Sequence, residues 1–143
     1  MRVLALDVGD KTIGIALSDE LGITAQGLFT LARTSVKRDT DEVLTLVRER
    51  GAGRVLVGLP INLDGSDSMQ TTKVRDFAQK LENKMRSNGL AGIPVTLHDE
   101  RFTTKIAERV LIEADMRREK RKGIIDRQAA VVLLQDWLDT NTP

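Results

Sequence analysis

The N-terminal segment constrains this chain more than any other feature. Arg2-Val3-Leu4-Ala5-Leu6-Asp7-Val8 is an apolar run broken by one carboxylate. The chain turns at Gly9-Asp10-Lys11-Thr12 and resumes as Ile13-Gly14-Ile15-Ala16-Leu17-Ser18. Apolar residues on both faces of so short a run predict a strand covered on both sides, the centre of a sheet with helices above and below. Side chains alternate along a strand, so Asp7 shares a face with Val3 and Ala5. A carboxylate there costs several kcal/mol unless it is paired, protonated or bound to a cation. No basic residue in the strand is placed to pair it. Asp7 is therefore either a solvated turn aspartate at the strand end, the commoner fate of Asp beside Gly, or part of a site.

The rest of the chain supplies what such a sheet needs. Thr24 to Leu31 reads as a third strand, and three strands joined by short turns form a meander. The period then changes. Asp39 is placed to cap a helix with Val43, Leu44 and Val47 inward, ending at Gly51 and Gly53. Arg54-Val55-Leu56-Val57-Gly58 follows as a strand, and a helix between two strands implies a parallel crossover beside the first strand. The main loop, Gly58 to Ser66, leads to a helix from Met69 to Arg86 and a fifth strand, Pro94 to His98. Thr103 or Thr104 caps a further helix with Ile106, Ala107, Val110 and Leu111 inward. Met116 to Gly123 reads as a mobile charged loop, and a last helix runs from Ile124 to Leu138. The expected fold is α/β: one domain over residues 1–143, with a five-stranded mixed sheet. A three-strand antiparallel meander lies beside parallel crossovers, with helices on both faces.

Composition narrows the chemistry. The chain has 143 residues, 41% apolar and 30% charged, which suits a folded core. Its net charge is +1, but residues 101–127 hold nine Lys or Arg against five Asp or Glu. Such a basic segment fits a nucleic-acid face as well as it fits a solvated helix. The absence of cysteine removes thiolate chemistry and zinc–cysteine sites, and the single His98 removes multi-histidine metal sites. Four aromatic residues (three Phe, one Trp) argue against base stacking as the recognition mode. No apolar run approaches membrane-spanning length and no basic-then-apolar leader opens the chain, so the expected location is cytoplasmic, with no membrane partner.

Two further carboxylates stand out. Asp126, Ala130, Leu133 and Trp137 share one face of the last helix, where an aspartate in the first turn is ordinarily explained by the helix dipole. Glu100 directly follows the fifth strand, with Asp99 beside it. Parallel strands end at a common edge, so Asp7 and Glu100 belong to one rim and Asp126 could complete it. If the three converge, their repulsion raises at least one pKa unless a cation is present. Mg²⁺ or Mn²⁺ suits such an oxygen cluster, and two such ions can promote phosphodiester hydrolysis.

At this point the motifs resemble a family. They are Asp7-Val8-Gly9-x-Lys11-x-Ile13-Gly14-x-Ala16-x-Ser18-Asp19, Gly58-Leu59-Pro60-x-Asn62-x-Asp64-Gly65-Ser66, Asp99-Glu100-Arg101-x-Thr103-Thr104 and Asp126-x-x-Ala129-Ala130. Together they resemble the YqgF (RuvX) family, described as pre-16S rRNA nucleases and also as Holliday junction resolvases, within the RNase H-like superfamily. The first motif alone is weak, because actin-like and Hsp70-like ATPases open similarly; all of them in this order are specific. The resemblance implies an RNase H-like fold and a catalytic, metal-binding triad of Asp7, Glu100 and Asp126. It makes Lys11, Asn62 and Ser66 candidate substrate contacts. Arg101 and the basic Arg117, Arg118, Arg121 and Lys122 are candidates of the same kind. The chain departs from the family pattern at Thr12, where Arg is common, at Phe102, where Leu is usual, and at Asp67-Ser68-Met69, which replaces a Gly-Pro-Arg-like run.

The expected function is metal-dependent phosphodiester hydrolysis in 5′-end processing of pre-16S rRNA. The substrate would be a structured RNA within a ribosome precursor, and the enzyme a monomer or weak homodimer. The alternatives are a resolvase acting on branched DNA, which would be expected to dimerise, and a non-catalytic ribosome-assembly or transcription factor. A two-domain ATPase would need a second phosphate-binding domain, for which the chain is too short.

Overall fold

The Arg2–Val8 run becomes strand β1, the middle strand of a five-stranded sheet in a computed structural model that describes residues 1–100 and 118–141, without the side chains of 118–127. β2 (Thr12–Ser18) and β3 (Ala25–Ala32) complete an antiparallel meander on one side of it. Helix α1 (Val36–Arg50) crosses to β4 (Ala52–Leu59), which pairs parallel to β1. Helix α2 (Met69–Ser87) crosses to β5 (Val95–Asp99), parallel to β4, so the strand order is β3-β2-β1-β4-β5. Helix α3 (Arg118–Asn141) packs on β1, β2 and β3. The expected mixed sheet with helices on both faces is therefore the observed one. No described helix is long and apolar enough to cross a membrane.

Two cores explain why β1 is apolar on both faces. Leu4, Leu6 and Val8 join Ile13, Ile15, Val55 and Val57 against Val43 and Val47 of α1 and Val74, Phe77 and Leu81 of α2. Val3 and Ala5 join Ala16 and Leu56 against Ala130, Leu133, Leu134 and Leu138 of α3. Burying each large aliphatic side chain contributes about 1.5–3 kcal/mol. The small Ala5, Ala16, Ala129 and Ala130, all fully buried, let α3 lie close to the sheet. Trp137 packs at the border of this core, with the Arg54 guanidinium 5.2 Å above its ring.

Three local expectations change. The cap of α1 is Ser35, not Asp39: Ser35 has extended backbone (φ −142°, ψ 157°) and its hydroxyl accepts from Arg38 N. Asp39 lies a turn inside the helix, where its carboxylate bonds back to Thr34 and Arg33. α1 does stop at Gly51, whose left-handed φ of 63° favours glycine. Arg118 to Lys122, expected in a charged loop, are helical in α3. Arg, Lys and Glu are good helix formers, so a charge run does not break a helix. Gly123 alone opposes it, by about 1 kcal/mol, which the packed face downstream offsets. β4 also begins two residues before the expected Arg54. The helix expected after Thr103 or Thr104 lies outside the described residues.

α2 is set by its first turn. Ser68 caps it and shares reciprocal bonds with Thr71, whose hydroxyl also donates to Pro60 O at the end of β4. The loop and the helix are thus tied to the edge of the sheet where β1, β4 and β5 end.

Candidate active site

Asp7 is the penultimate residue of β1, opposite Gly14 of β2, and half-buried on the face that carries Val3 and Ala5. β5 ends opposite Leu59 of β4. The chain then holds one more ladder bond, from Glu100 N to Leu59 O at 3.2 Å. Glu100 is buried, with only 8% of its surface exposed. Its side chain hydrogen-bonds that of Asp7. The parallel crossovers therefore do what their topology implies: two carboxylates from distant parts of the chain meet at the C-terminal rim of the sheet.

Electrostatics follow from that contact. Burial, then the charge of Asp7, the hydrogen bond with Asp7 and the charge of Asp99 push the Glu100 carboxyl up from its ordinary value to about 9. Near neutral pH this favours the protonated form of Glu100 beside Asp7. An all-oxygen pair in which burial and a neighbouring negative charge both favour a proton fits a hard divalent cation, which would take the place of the proton. Asp7 and Glu100 could hold such an ion, with Asp99 adjacent in sequence. Among the described residues no group of three metal-ligating side chains converges. Asp126, the expected third member, lies in α3 one turn before Ala130, and its side chain is outside the described residues.

Gly58 is part of this site in a way the sequence did not announce. A Cβ built there would fall on Glu100 Oε2, 2.9 Å from Leu133 Cδ2 and 3.0 Å from Glu100 Cδ. The missing side chain of β4 is the space the Glu100 carboxyl occupies. A glycine inside a strand was the available signal, since it marks close approach of another group.

Of the other expected contacts, those on the β1–β2 turn and on the loop after β4 leave the sheet at the same rim. Lys11 is exposed in the β1–β2 turn. Asn62 and Ser66 are exposed in the loop after β4 and bond to each other, Asn62 Nδ2 donating to Ser66 Oγ at 3.0 Å. Ser66 N and Oγ both donate to Asp64 Oδ1, at 2.9 and 2.6 Å. Those bonds, the hydroxyl first, hold the Asp64 carboxyl below its ordinary range. An Ile61–Asp67 bridge closes this loop at its base. Arg101 and Arg117 lie outside the described residues, whereas Arg118, Arg121 and Lys122 fall within the first turns of α3. His98, on the same face of β5 as Glu100, meets Asp136 of α3 at 2.8 Å and so ties strand to helix.

Comparison with known proteins agrees with this architecture. The chain is 44% identical over 140 residues to the "Putative pre-16S rRNA nuclease" of Desulforamulus reducens, covering 98% of both chains. It is 48% identical over 139 residues to the protein of the same name from Moorella thermoacetica, covering 97% of this chain and 95% of that one. Among solved structures, T. thermophilus RuvC in complex with a Holliday junction substrate superimposes with a TM-score of 0.61 at 16% identity, covering 99% of this chain and 97% of that one. The Fowlpox virus resolvase with Holliday junction DNA gives 0.60 at 12% identity, with full coverage of both. These two establish a shared fold. The profile of the RuvX family, described as Holliday junction resolvase, matches residues 1–140. With a match over nearly its whole length and relatives this similar, the chain belongs to the RuvX family.

Proposed function

We propose that this chain is a divalent-metal-dependent nuclease that hydrolyses phosphodiester bonds during 5′-end processing of the small-subunit rRNA precursor in the cytoplasm. The observation that carries the reading is the buried Asp7–Glu100 pair at the C-terminal rim. The names of the full-length relatives supply the substrate. Asp7, Glu100 and Asp126 are the residues that would hold Mg²⁺ or Mn²⁺. Such ions supply an activated water and offset charge on the phosphodiester and its leaving oxygen.

The chain's own residues prepare the rest. Glu100 would give up its proton to a bound cation, so binding near neutral pH would release a proton. Gly58 leaves room for the Glu100 carboxyl, and β4 and α3 keep water from one side of it. Lys11, exposed on the turn after Asp7, would meet a substrate phosphate, with Asn62 and Ser66 as further contacts from the neighbouring loop. Arg101, Arg117, Arg118, Arg121 and Lys122 would engage the phosphate backbone without regard to sequence. Neutralising the last four should weaken binding and flatten its dependence on salt; an unchanged slope removes the segment from the binding face.

A second reading, resolution of branched DNA, is favoured by the description of the matching family profile. The deciding experiment compares cleavage of precursor rRNA and of four-way DNA junctions by the purified protein, with and without Mg²⁺ or Mn²⁺. Ion-dependent cleavage of the RNA at its 5′ end supports the first reading. Preference for the junction, especially by a dimer, supports the second. Binding without cleavage of either substrate would point to a non-catalytic assembly factor.

A further inference from the structure

The turn that follows Asp7 is held by more contacts than its own closure requires. Gly9 N donates to Thr12 O at 2.8 Å and closes it. Arg33, just beyond β3, grips it twice: its backbone N donates to Lys11 O at 2.9 Å and its Nη1 donates to Gly9 O at 2.7 Å. From α2, Gln70 Nε2 donates to Val8 O at 3.2 Å and Lys73 Nζ lies 3.4 Å from Asp10 Oδ1.

Arg33 is itself oriented. Its Nε donates to Asp39 Oδ2 at 2.7 Å, and its guanidinium carbon lies 5.3 Å above the Phe77 ring. Asp39 is almost wholly buried, and Thr34 N and Oγ1 donate to its other oxygen at 3.1 and 3.2 Å. A buried ion pair is seldom more stabilising than an apolar pair of the same size, so stability alone does not explain this one. Its geometry does. A guanidinium is a rigid planar fork, so fixing Nε on Asp39 fixes the direction in which Nη1 points, which is at Gly9 O. A lysine carries its donors on one nitrogen at the end of a flexible stem, so no second nitrogen fixes the direction of the first.

We propose that Arg33, aimed by Asp39, is a positioning residue that locks the β1–β2 turn and so holds Lys11 ready for a substrate phosphate beside Asp7. The lock is read from the structure; that its ligand is a nucleic-acid phosphate rests on the nuclease reading.

The test uses the full chain with R33M, R33K, D39N, K11A and the double variant R33M/K11A. In R33M the amide of Gly9 should exchange about tenfold faster while amides of Leu4 to Leu6 keep their protection. D39N should move Gly9 the same way by less. R33K should not restore protection, because it keeps the charge and loses the fork. Affinity for a labelled RNA hairpin, measured in EDTA, should fall about fivefold in K11A and in R33M, with little further loss in the double variant. In Mn²⁺-dependent turnover R33M should raise KM about fivefold with kcat changed less than about twofold. Unchanged exchange at Gly9 in R33M, full rescue by R33K, or additive losses in the double variant would each overturn the proposal. If R33M does not fold, D39N and R33K carry the exchange test. If the wild-type protein binds the hairpin and cleaves nothing, the nuclease reading fails, and the exchange and binding measurements still judge the lock. A wild-type protein that does not bind the hairpin overturns the phosphate role of Lys11.

Discussion

Asp39 and Glu100 are both buried carboxylates near the same edge of the sheet, and they are solved in opposite ways. Asp39 has an internal cation, Arg33, and two donors from Thr34. Glu100 faces Asp7 and Asp99, and its burial and their charges drive it toward the protonated form. The first arrangement is self-sufficient, because the protein carries its own counter-charge. Among the described residues, the second gathers negative charge at low dielectric, which a proton or a bound cation would ease. Burial alone therefore does not mark a site. The sign of the charges around the buried group does.

The contrast can be broken at several points. The largest effect should come from Asp7→Asn, which removes a charge from the Glu100 cluster and leaves the Asp39 pair untouched. Mn²⁺- or Mg²⁺-dependent cleavage should drop by about 10³-fold or more while the melting temperature holds or rises. Undiminished turnover in that variant would remove the triad assignment. Next is Asp39→Asn, which strands a mostly buried guanidinium. Breaking such a pair costs about 3 kcal/mol in chemical denaturation, the low end of the range because Arg33 keeps some solvent. Glu100→Gln should cost the metal-free fold far less, or stabilise it. Equal losses in the two variants would erase the distinction between them.

Gly58→Ala sharpens the same point through shape. The added methyl meets the Glu100 carboxyl and Leu133, so one of them must move. Metal affinity, read by calorimetry, should fall about 10- to 100-fold, as when the support of a ligand is disturbed. Retained affinity would mean that Glu100 is not held where the ion binds. A further effect is on pH dependence. Folded, metal-free protein holds the Glu100 proton up to about 9, against an ordinary value of 4.5. Between those limits the folded state binds more protons than the unfolded one, so stability falls as pH rises. The contribution is complete below about 4.5 and is lost as pH passes through about 9. Urea titrations from pH 6 to 9 should show this slope in the wild type, a shallower one with Mg²⁺, and none attributable to this group in Glu100→Gln. A wild-type slope that survives in Glu100→Gln must come from elsewhere.

Much of the fold was legible in the sequence because the signals are local. The unbroken Val3-Leu4-Ala5-Leu6 run demanded cover on both faces, and the helix between β1's meander and β4 demanded a parallel crossover. Together they placed the ends of β1 and β5 on one rim. The cap of α1 was misread at Asp39, because a capping aspartate and a buried ion-pair aspartate look alike until Arg33 is found beside it. The charged segment before Ile124 was misread as a loop, because its charges resemble those of a linker while its residues favour a helix.

The sequence by itself determined which strands are central, which apolar residues face the core and that Asp7 is an unusual carboxylate, since periodicity and apolar runs are properties of neighbouring residues. Only the tertiary structure decided that Glu100 touches Asp7, that Gly58 makes room for it and that Arg33 reaches back to Gly9. Those contacts join residues far apart along the chain. Their energies depend on distances and burial that no stretch of sequence contains.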